Sequence, residues 1–239
     1  MLVAILSDIH GNLEALEAVW KDMAGFPVDE VVCLGDMIGY GPDPDDVLCF
    51  VRQKGAVCCM GNHELGVTSP EERSWFNPKS REGLDRTARL LSAVSLEFIA
   101  GLPRFLLLEG ARFVHGFPPE SVTTYLYQVE GFRLASWFRD GEALTFVGHT
   151  HELMLVTWNG TRTERHDLEA GAFRLQGGKH IVNAGSVGQP RDGNNNAKYL
   201  LWDTRKNTVD VRFVPYDIAV TVDKIRRRGF PDFYATRLW

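Results

Sequence analysis

The 239-residue sequence predicts an α/β fold with two sheets in one domain, and three features of its pattern predict it. The first sixty residues alternate short apolar runs with helical spacing, in the order β-α-β-α-β. The middle of the chain is dominated by helical periodicity. From residue 152 onward, short alternating segments follow one another, separated by glycine turns. Helices between strands imply parallel strands with helices packed on the sheet. Closely spaced strands with short turns imply antiparallel pairing. No repeat, linker or low-complexity stretch interrupts the chain, so residues 1–239 are read as a single domain.

Leu2 to Leu6 is an apolar run short enough to be a buried strand. Leu13, Leu16, Trp20 and Met23 then fall on one face of a helix that Asn12 can cap. Val31 to Leu34 form a second strand. Asp43 and Pro44 supply an N-cap and a first helical position, Gly55 a stop, and Val47, Phe50 and Val51 the apolar face between. Ala56 to Met60 form a third strand. Residues 81–101 read as helix with a break near Ser92, and Pro103 ends it. Strands follow at 105–108 and 111–114, then a helix around 130–138 and a strand at 144–147. Beyond residue 152, "LMLVTW", "RTERHD", "AFRL", "KHIVN", "KYLLWD" and "TVDVRFV" read as antiparallel strands, with turns at Gly160 and at Gly177-Gly178. A helix over about 217–228 precedes "GFPDFYATRLW", too aromatic to float in water and expected to pack on its own domain or on another subunit.

Composition limits the function. With 44% hydrophobic and 24% charged residues the chain has ample material for a core. A net charge of −5 with interspersed signs leaves no basic stripe, so a nucleic acid polymer is not an expected partner. No apolar run is long enough to span a membrane and no signal-peptide pattern opens the chain, so no membrane association and a cytoplasmic location are expected. Cys33, Cys49, Cys58 and Cys59 lack zinc-type spacing and sit in apolar runs, which predicts small buried residues in a reducing compartment.

The strands end in a recurring way. The first runs into "SDIHGN", bringing Asp8 and His10; "VVCLGD" brings Asp36, and "VCCMGNHE" brings Asn62 and His63. "RFVHG" brings His115, and "LTFVGHTH" brings His149 and His151. Each piece alone is ordinary turn chemistry. Together they place five of the seven histidines just past strand ends, leaving His166 and His180 as ordinary strand residues. Ligands of open α/β sheets bind beyond the carboxyl ends of the strands, so these ends are expected to share one site. Asp8, His10, Asp36, Asn62, His115, His149 and His151 are too many for one tetrahedral ion and suit two divalent ions sharing a carboxylate. Nitrogen and oxygen donors without thiolate favour manganese, iron, zinc, cobalt or nickel over calcium or copper(I).

The blocks Asp-x-His, Gly-Asp, Gly-Asn-His-Glu, a lone His-Gly and Gly-His-x-His, in this order from residue 8 to 151, closely resemble the calcineurin-like metallophosphoesterase family. "VNAGSVGQPRDG" and "VPYD" are similar to a bacterial and archaeal branch of small phosphodiesterase-like members. The resemblance implies a four-layer sandwich of two mixed β-sheets flanked by helices. It implies that Asp8, His10 and His151 hold one ion, Asn62, His115 and His149 the other, and that Asp36 bridges them. It further implies a hydroxide between the ions as nucleophile, with His63 protonating the leaving oxygen. A metal-dependent phosphoesterase, and first a phosphodiesterase with a small substrate, is thus expected. A phosphomonoesterase or nucleotide hydrolase is the alternative within enzymes. A binding scaffold on the same fold is the rival outside them, and the presence of His63 and of every metal position argues against it.

The sequence departs from the protein phosphatases of the family at "GDMIGYGP", which lacks their second aspartate and their arginine. Protein phosphatase activity is therefore not expected, and His63 has no evident orienting partner. Glu64 is expected to orient a neighbour. Asn12 is either a helix cap or a substrate contact; Arg191 is either a phosphate ligand or a surface arginine in a turn. Phe76, Phe117, Tyr125 and Tyr127 are either core or a stack for a base, and Arg226, Arg227 and Arg228 suit a solvated helix end.

Overall fold

Residues alternate between two apolar layers along the first strand, β1 (Leu2–Leu6). Ala4 and Leu6 join one core with α1 (Leu13–Met23) and α2 (Pro44–Gln53), while Val3 and Ile5 join another that lies between two sheets. The computed structural model describes residues 1–239. After β2 (Glu30–Cys33) and β3 (Val57–Cys58) come four helices in succession: α3 (Asn62–Thr68), α4 (Pro70–Ser74), α5 (Pro78–Leu90) and α6 (Ala93–Ala100). Next are β4 (Phe105–Leu108), β5 (Ala111–Val114), α7 (Gly131–Asp140) and β6 (Leu144–Val147). The strands β7 (Leu153–Trp158), β8 (Thr163–Asp167), β9 (Gly171–Arg174), β10 (Lys179–Ala184), β11 (Ala197–Asp203) and β12 (Thr208–Val214) follow, and α8 (Ile218–Arg227) and α9 (Asp232–Thr236) end the chain.

Two mixed six-stranded sheets result, ordered β3-β2-β1-β11-β12-β9 and β4-β5-β6-β10-β7-β8. Phe113, Phe146 and Val182 from the second sheet meet Val3, Ile5 and Trp202 from the first in the central layer. Helix α7 covers the far face of the second sheet through Leu134 and Phe138. The layers are thus helix, sheet, sheet, helix, the expected sandwich. No helix is long and apolar enough to cross a membrane.

Parallel pairing brings strand ends to one edge. Leu6, Cys33 and Cys58 stand in register across β1, β2 and β3. Phe113 and Phe146 do so across β5 and β6, and Val147 and Asn183 across β6 and β10. The polar residues that follow these positions therefore leave both sheets at one end of the sandwich.

Three expectations need correction. The strands after residue 152 are not all antiparallel: β10 lies parallel to β6, because it enters the middle of the second sheet instead of extending a meander. The third strand is only Val57–Cys58, and a helix begins at Asn62 where a loop was expected. Cys49 is exposed on the outer side of α2, whereas Cys33, Cys58 and Cys59 are buried. Arg226, Arg227 and Arg228 are exposed, as expected of a solvated helix end, and Arg228 in addition pairs at 2.8 Å with Asp43, whose carboxylate also takes Lys224 at 2.8 Å and so ties α8 to the start of α2. The aromatic tail folds back on its own chain, where Tyr234, Phe230 and Leu238 pack with Val222 and Ile225 of α8 and with Tyr40.

Candidate metal centre

Asp8 and His10 follow β1, Asp36 follows β2, His115 follows β5, and His149 and His151 follow β6, while Asn62 opens α3. The structure brings all seven together. Donor atoms of Asp8, His10 and His151 lie within 4.8 Å of one another, as do those of Asp36, His115 and His149. In the first group His151 Nε2 stands 3.2 Å from Asp8 Oδ1 and 3.1 Å from His10 Nε2. In the second, His115 Nε2 stands 3.2 Å from Asp36 Oδ2, 3.1 Å from His149 Nδ1 and 3.2 Å from Asn62 Oδ1. The groups meet at Asp36, whose Oδ2 is also 3.7 Å from His10 Nε2. Asn62 is half-buried and the other six are buried.

Backbone geometry aims these side chains. Asp8, His10, Asp36, His149 and His151 all have positive φ, from 49° to 69°. That region costs a non-glycine residue on the order of 1–3 kcal/mol and persists only where surrounding contacts impose it. Here they do. Asp8 N donates to Gly35 O, His10 N to Asp36 O and Gly11 N to Met37 O, extending the β1–β2 pairing beyond the strands. Asn183 Nδ2 donates to Gly148 O and Thr150 Oγ1, each at 2.9 Å, bracing the turn that carries His149 and His151. Glu64, fully buried, accepts from Asp36 N, Met37 N, Ile38 N and Gly61 N at 2.8–3.2 Å. Burial and Asp36 push its pKa up to about 7. Both its oxygens nevertheless face only N–H donors, which suits the carboxylate. Glu64 thus holds the loop that carries Asp36, the orienting role expected of it.

Each carboxylate is pinned by one oxygen and presents the other. Asp8 Oδ2 accepts from Ser7 Oγ at 2.6 Å and His149 N at 3.0 Å, while its buried Oδ1 has no hydrogen-bond partner. Asp36 Oδ1 accepts from His63 N at 2.9 Å, and Oδ2 faces the histidines. The imidazoles are anchored likewise. His10 Nδ1 meets Ile38 O at 2.9 Å, His115 Nδ1 meets Leu34 O at 3.1 Å, His149 Nε2 meets Thr123 O at 3.1 Å and His151 Nδ1 meets Gln189 O at 2.6 Å. A carbonyl only accepts, so each outward nitrogen is the N–H and, in the neutral ring, the inward nitrogen carries a lone pair. Two pairs of inward nitrogens thus face each other at 3.1 Å, acceptor against acceptor, beside a carboxylate oxygen that has no donor. Positive charge between them resolves this, and the nitrogen-oxygen donor set fits divalent cations.

The electrostatics run the same way. Burial works against charge on Asp8, but His151, His10 and His115 outweigh it and hold the carboxyl well below its usual range. The same contest lowers Asp36, with His115 and His63 prevailing over burial. Burial holds His149 down to about 3 and His151 to about 4. His115 is the exception: burial opposes its charge, but Asp36 prevails and raises it to about 9. In the protein alone, a proton on His115 supplies part of the positive charge the donors require.

His63 lies beside this cluster rather than in either half of it. Its Nδ1 is buried without a partner, and its donor nitrogen also falls within 4.8 Å of those of His10 and Asp36. Burial, then the nearby histidines, pull its pKa down to about 3 despite Asp36. No carboxylate orients the ring. Tyr40 and Phe76 meet it edge-on, with centroids at 4.5 and 5.2 Å, and Gly39 leaves room that a Cβ would fill at 2.0 Å from Nδ1. Tyr40 is in turn backed by Tyr234 of α9 at 4.9 Å. The stretch "GYGPDP", residues 39–44, reads from sequence as a stiff turn or a rim over the site, and Tyr40 stands there, but no local signal pairs it with Tyr234.

Asn12 requires a correction as a substrate contact. Its Oδ1 caps α1 through Ala15 N and accepts from Thr221 Oγ1, and its Nδ2 donates to Gly188 O and Tyr216 Oη. Fully engaged and 1% exposed, it has nothing left for a ligand. Arg191 is half-buried at the edge of the cluster, with Nη2 on Gln189 Oε1 at 3.1 Å and a buried Nε lacking a partner.

The chain resembles known proteins in sequence and in fold. Residues 1–183 match the sequence model of the calcineurin-like phosphoesterases. An uncharacterized protein of Methanocaldococcus jannaschii is 32% identical over 245 residues, covering 100% of this chain and 97% of its own. The crystal structure of a metallophosphoesterase from Sphaerobacter thermophilus superposes with a TM-score of 0.86 at 33% identity, covering 100% of this chain and 98% of the other. A hypothetical protein from Pyrococcus horikoshii shares the fold, with a TM-score of 0.76 at 19% identity over 100% of this chain and 97% of its own.

Proposed function

The chain belongs to the calcineurin-like phosphoesterase family, and on that premise we propose that it is a dinuclear metal phosphodiesterase acting on a small phosphoester. Membership makes it a metal-dependent hydrolase of phosphoester bonds. The observation that carries the dinuclear reading is the pair of facing-acceptor groups that meet at Asp36 Oδ2. Asp8, His10 and His151 would hold one ion, Asn62, His115 and His149 the other, and Asp36 both, with manganese first among the candidates. Two bound divalent ions supply an activated water near neutral pH and neutralise phosphoryl charge. The chain's own part is to keep Asp8 and Asp36 anionic and the inward nitrogens free, and to hold His63 beside the leaving group. We assign His63 to protonation of the leaving oxygen. Asp36 already favours its proton against burial, and a phosphoryl anion entering beside it acts in the same sense.

The preference for diesters follows from charge. A monoester carries an additional negative charge near neutral pH, and Arg191 is the cation at hand to meet it. The unpartnered Nε of Arg191 favours a second reading as a phosphomonoesterase. One experiment decides: kcat/KM for a nitrophenyl phosphodiester against the matching monoester, with added manganese. The diester should be the better substrate. A tenfold preference for the monoester, about 1.4 kcal/mol in transition-state binding, rejects the diesterase reading.

A further inference from the structure

A cleft of 430 Å³ adjoins the candidate metal centre, and Asn62 and His149 line it. Four aromatic side chains, Tyr40, Trp75, Phe76 and Tyr125, also line it. Trp75, between α4 and α5, lines it while 81% exposed, and Phe76 beside it meets His63 edge-on. Tyr125 also lines it and lies flat on His149, with ring centroids 3.9 Å apart and planes 14° apart, while stacking with Tyr127 at 5.0 Å. Glu71 and Glu72 of α4 also line the cleft, and no lysine or arginine does. The nearby Arg73 is engaged by Asp85 at 2.9 Å and Gly66 O at 3.1 Å.

Three features define an occupant. Continuity with Asn62 and His149 means that whatever enters is attached to the phosphorus held beside them. A largely exposed indole lining the same cleft as Tyr125 and Phe76 suits a planar ring, because nucleobases stack on aromatic side chains. Two carboxylates without a cation repel further negative charge and accept hydrogen bonds from ring and exocyclic N–H groups. We infer that this cleft seats the nucleobase of a nucleoside phosphoester and disfavours groups bearing a second anion. The inference rests on the phosphoester reading of the neighbouring centre.

Adenosine 5′-monophosphate and ribose 5-phosphate, compared as competitive inhibitors of nitrophenyl phosphodiester hydrolysis, isolate the base. The nucleotide should bind about tenfold more tightly or better, and Trp75→Ala should bring the two within about threefold. Trp75 is largely exposed, so its removal leaves the fold intact. A wild-type difference under threefold, or one unchanged in Trp75→Ala, overturns the assignment. Orotidine 5′-monophosphate, with a carboxylate on its base, should bind more weakly than uridine 5′-monophosphate, and Glu71→Gln/Glu72→Gln should close the gap. Equal wild-type affinities, or a gap the double variant leaves unchanged, overturn the charge selectivity. All four probes are monoesters, so a preference for monoester substrates would reject the diesterase reading without touching these ratios. Quenching of indole fluorescence by adenosine 5′-monophosphate, lost in Trp75→Phe, reads the slot without turnover, and absence of wild-type quenching counts against it.

Discussion

Replacing the shared carboxylate separates a dinuclear centre from two independent sites. Asp36 is 1% exposed and divides its oxygens: Oδ1 takes His63 N, and Oδ2 faces both His115 and His10. In Asp36→Asn the amide oxygen can keep the bond to His63 N, so the loop survives while the charge between the groups is lost. An ion present at about 100 times its Kd stabilises a fold by about 2.7 kcal/mol, so two ions contribute about 5 kcal/mol. In a chain of this length each kcal/mol raises Tm by roughly 2–4 °C. Manganese added to chelator-treated wild-type protein should therefore raise Tm by about 10–20 °C. His10→Ala removes a donor of one group and should keep about half of that shift. Asp36→Asn weakens both groups and should keep only a small part of it. Calorimetry with and without metal, and elemental analysis after gel filtration, measure both quantities. An Asp36→Asn protein that retains two ions and the full shift would falsify the shared-carboxylate reasoning.

Three further outcomes are expected. His115, raised from 6.5 to about 9 by Asp36, stabilises the metal-free fold below pH 6.5, and this contribution fades as pH rises through about 9. Metal-free Tm should fall across that window while metal affinity rises, because the ion displaces the proton; calorimetry and metal titration at several pH values would lack this linked change if His115 were not in the site. His63→Ala should keep both ions and lose about 10²–10⁴ in kcat with an alkoxide leaving group, and less with nitrophenolate; loss of an ion would instead make His63 a ligand, in the group it forms with His10 and Asp36. Tyr234→Ala should destabilise the fold by about 3–5 kcal/mol and lower kcat, whereas Tyr234→Phe, which loses only the bond to Lys79 O, should restore most of both; chemical denaturation and kinetics on the two variants check this.

The convergence of the polar residues was legible in the sequence because it follows from two strong local signals. Short apolar runs mark strands, and a polar residue with glycine beside it marks where a strand ends. Once parallel register aligns Leu6 with Cys33 and Phe113 with Phe146, residues such as Asp8, Asp36 and His115 must emerge side by side. Pairing partners were not legible. Nothing in "KHIVN" says that β10 lies parallel to β6 on one side and antiparallel to β7 on the other, because alternation reports burial and not direction. The helix at Asn62 was hidden for a related reason: the glycine and asparagine that signal a turn also suit a helix start, and the capping group is Glu64 reaching back to Gly61 N.

The setting of His63 shows why motif reading stops where packing begins. A carboxylate partner would have stood in the "GDMIGYGP" block as a visible residue. This chain instead surrounds the ring with Tyr40 and Phe76, and Tyr40 depends on Tyr234 near the far end of the sequence. Tyr234 is held in turn by α8, and α8 by the pairing of Lys224 and Arg228 with buried Asp43, the residue that precedes α2. Every link in that chain is an ordinary core or ion-pair contact with no motif of its own. Residues 218–239 lie outside the stretch that matches the family, yet they back the wall that fixes His63. A steric cage constrains ring orientation without adding negative charge. Among the groups around His63 Asp36 favours its proton, but burial and the neighbouring histidines outweigh it and hold the pKa down to about 3 in the protein alone. A carboxylate partner would hold the ring charged before substrate binds. On the proposed role, the negative charge that favours the His63 proton comes from Asp36 and from the bound phosphoryl group, because the aromatic cage adds none of its own.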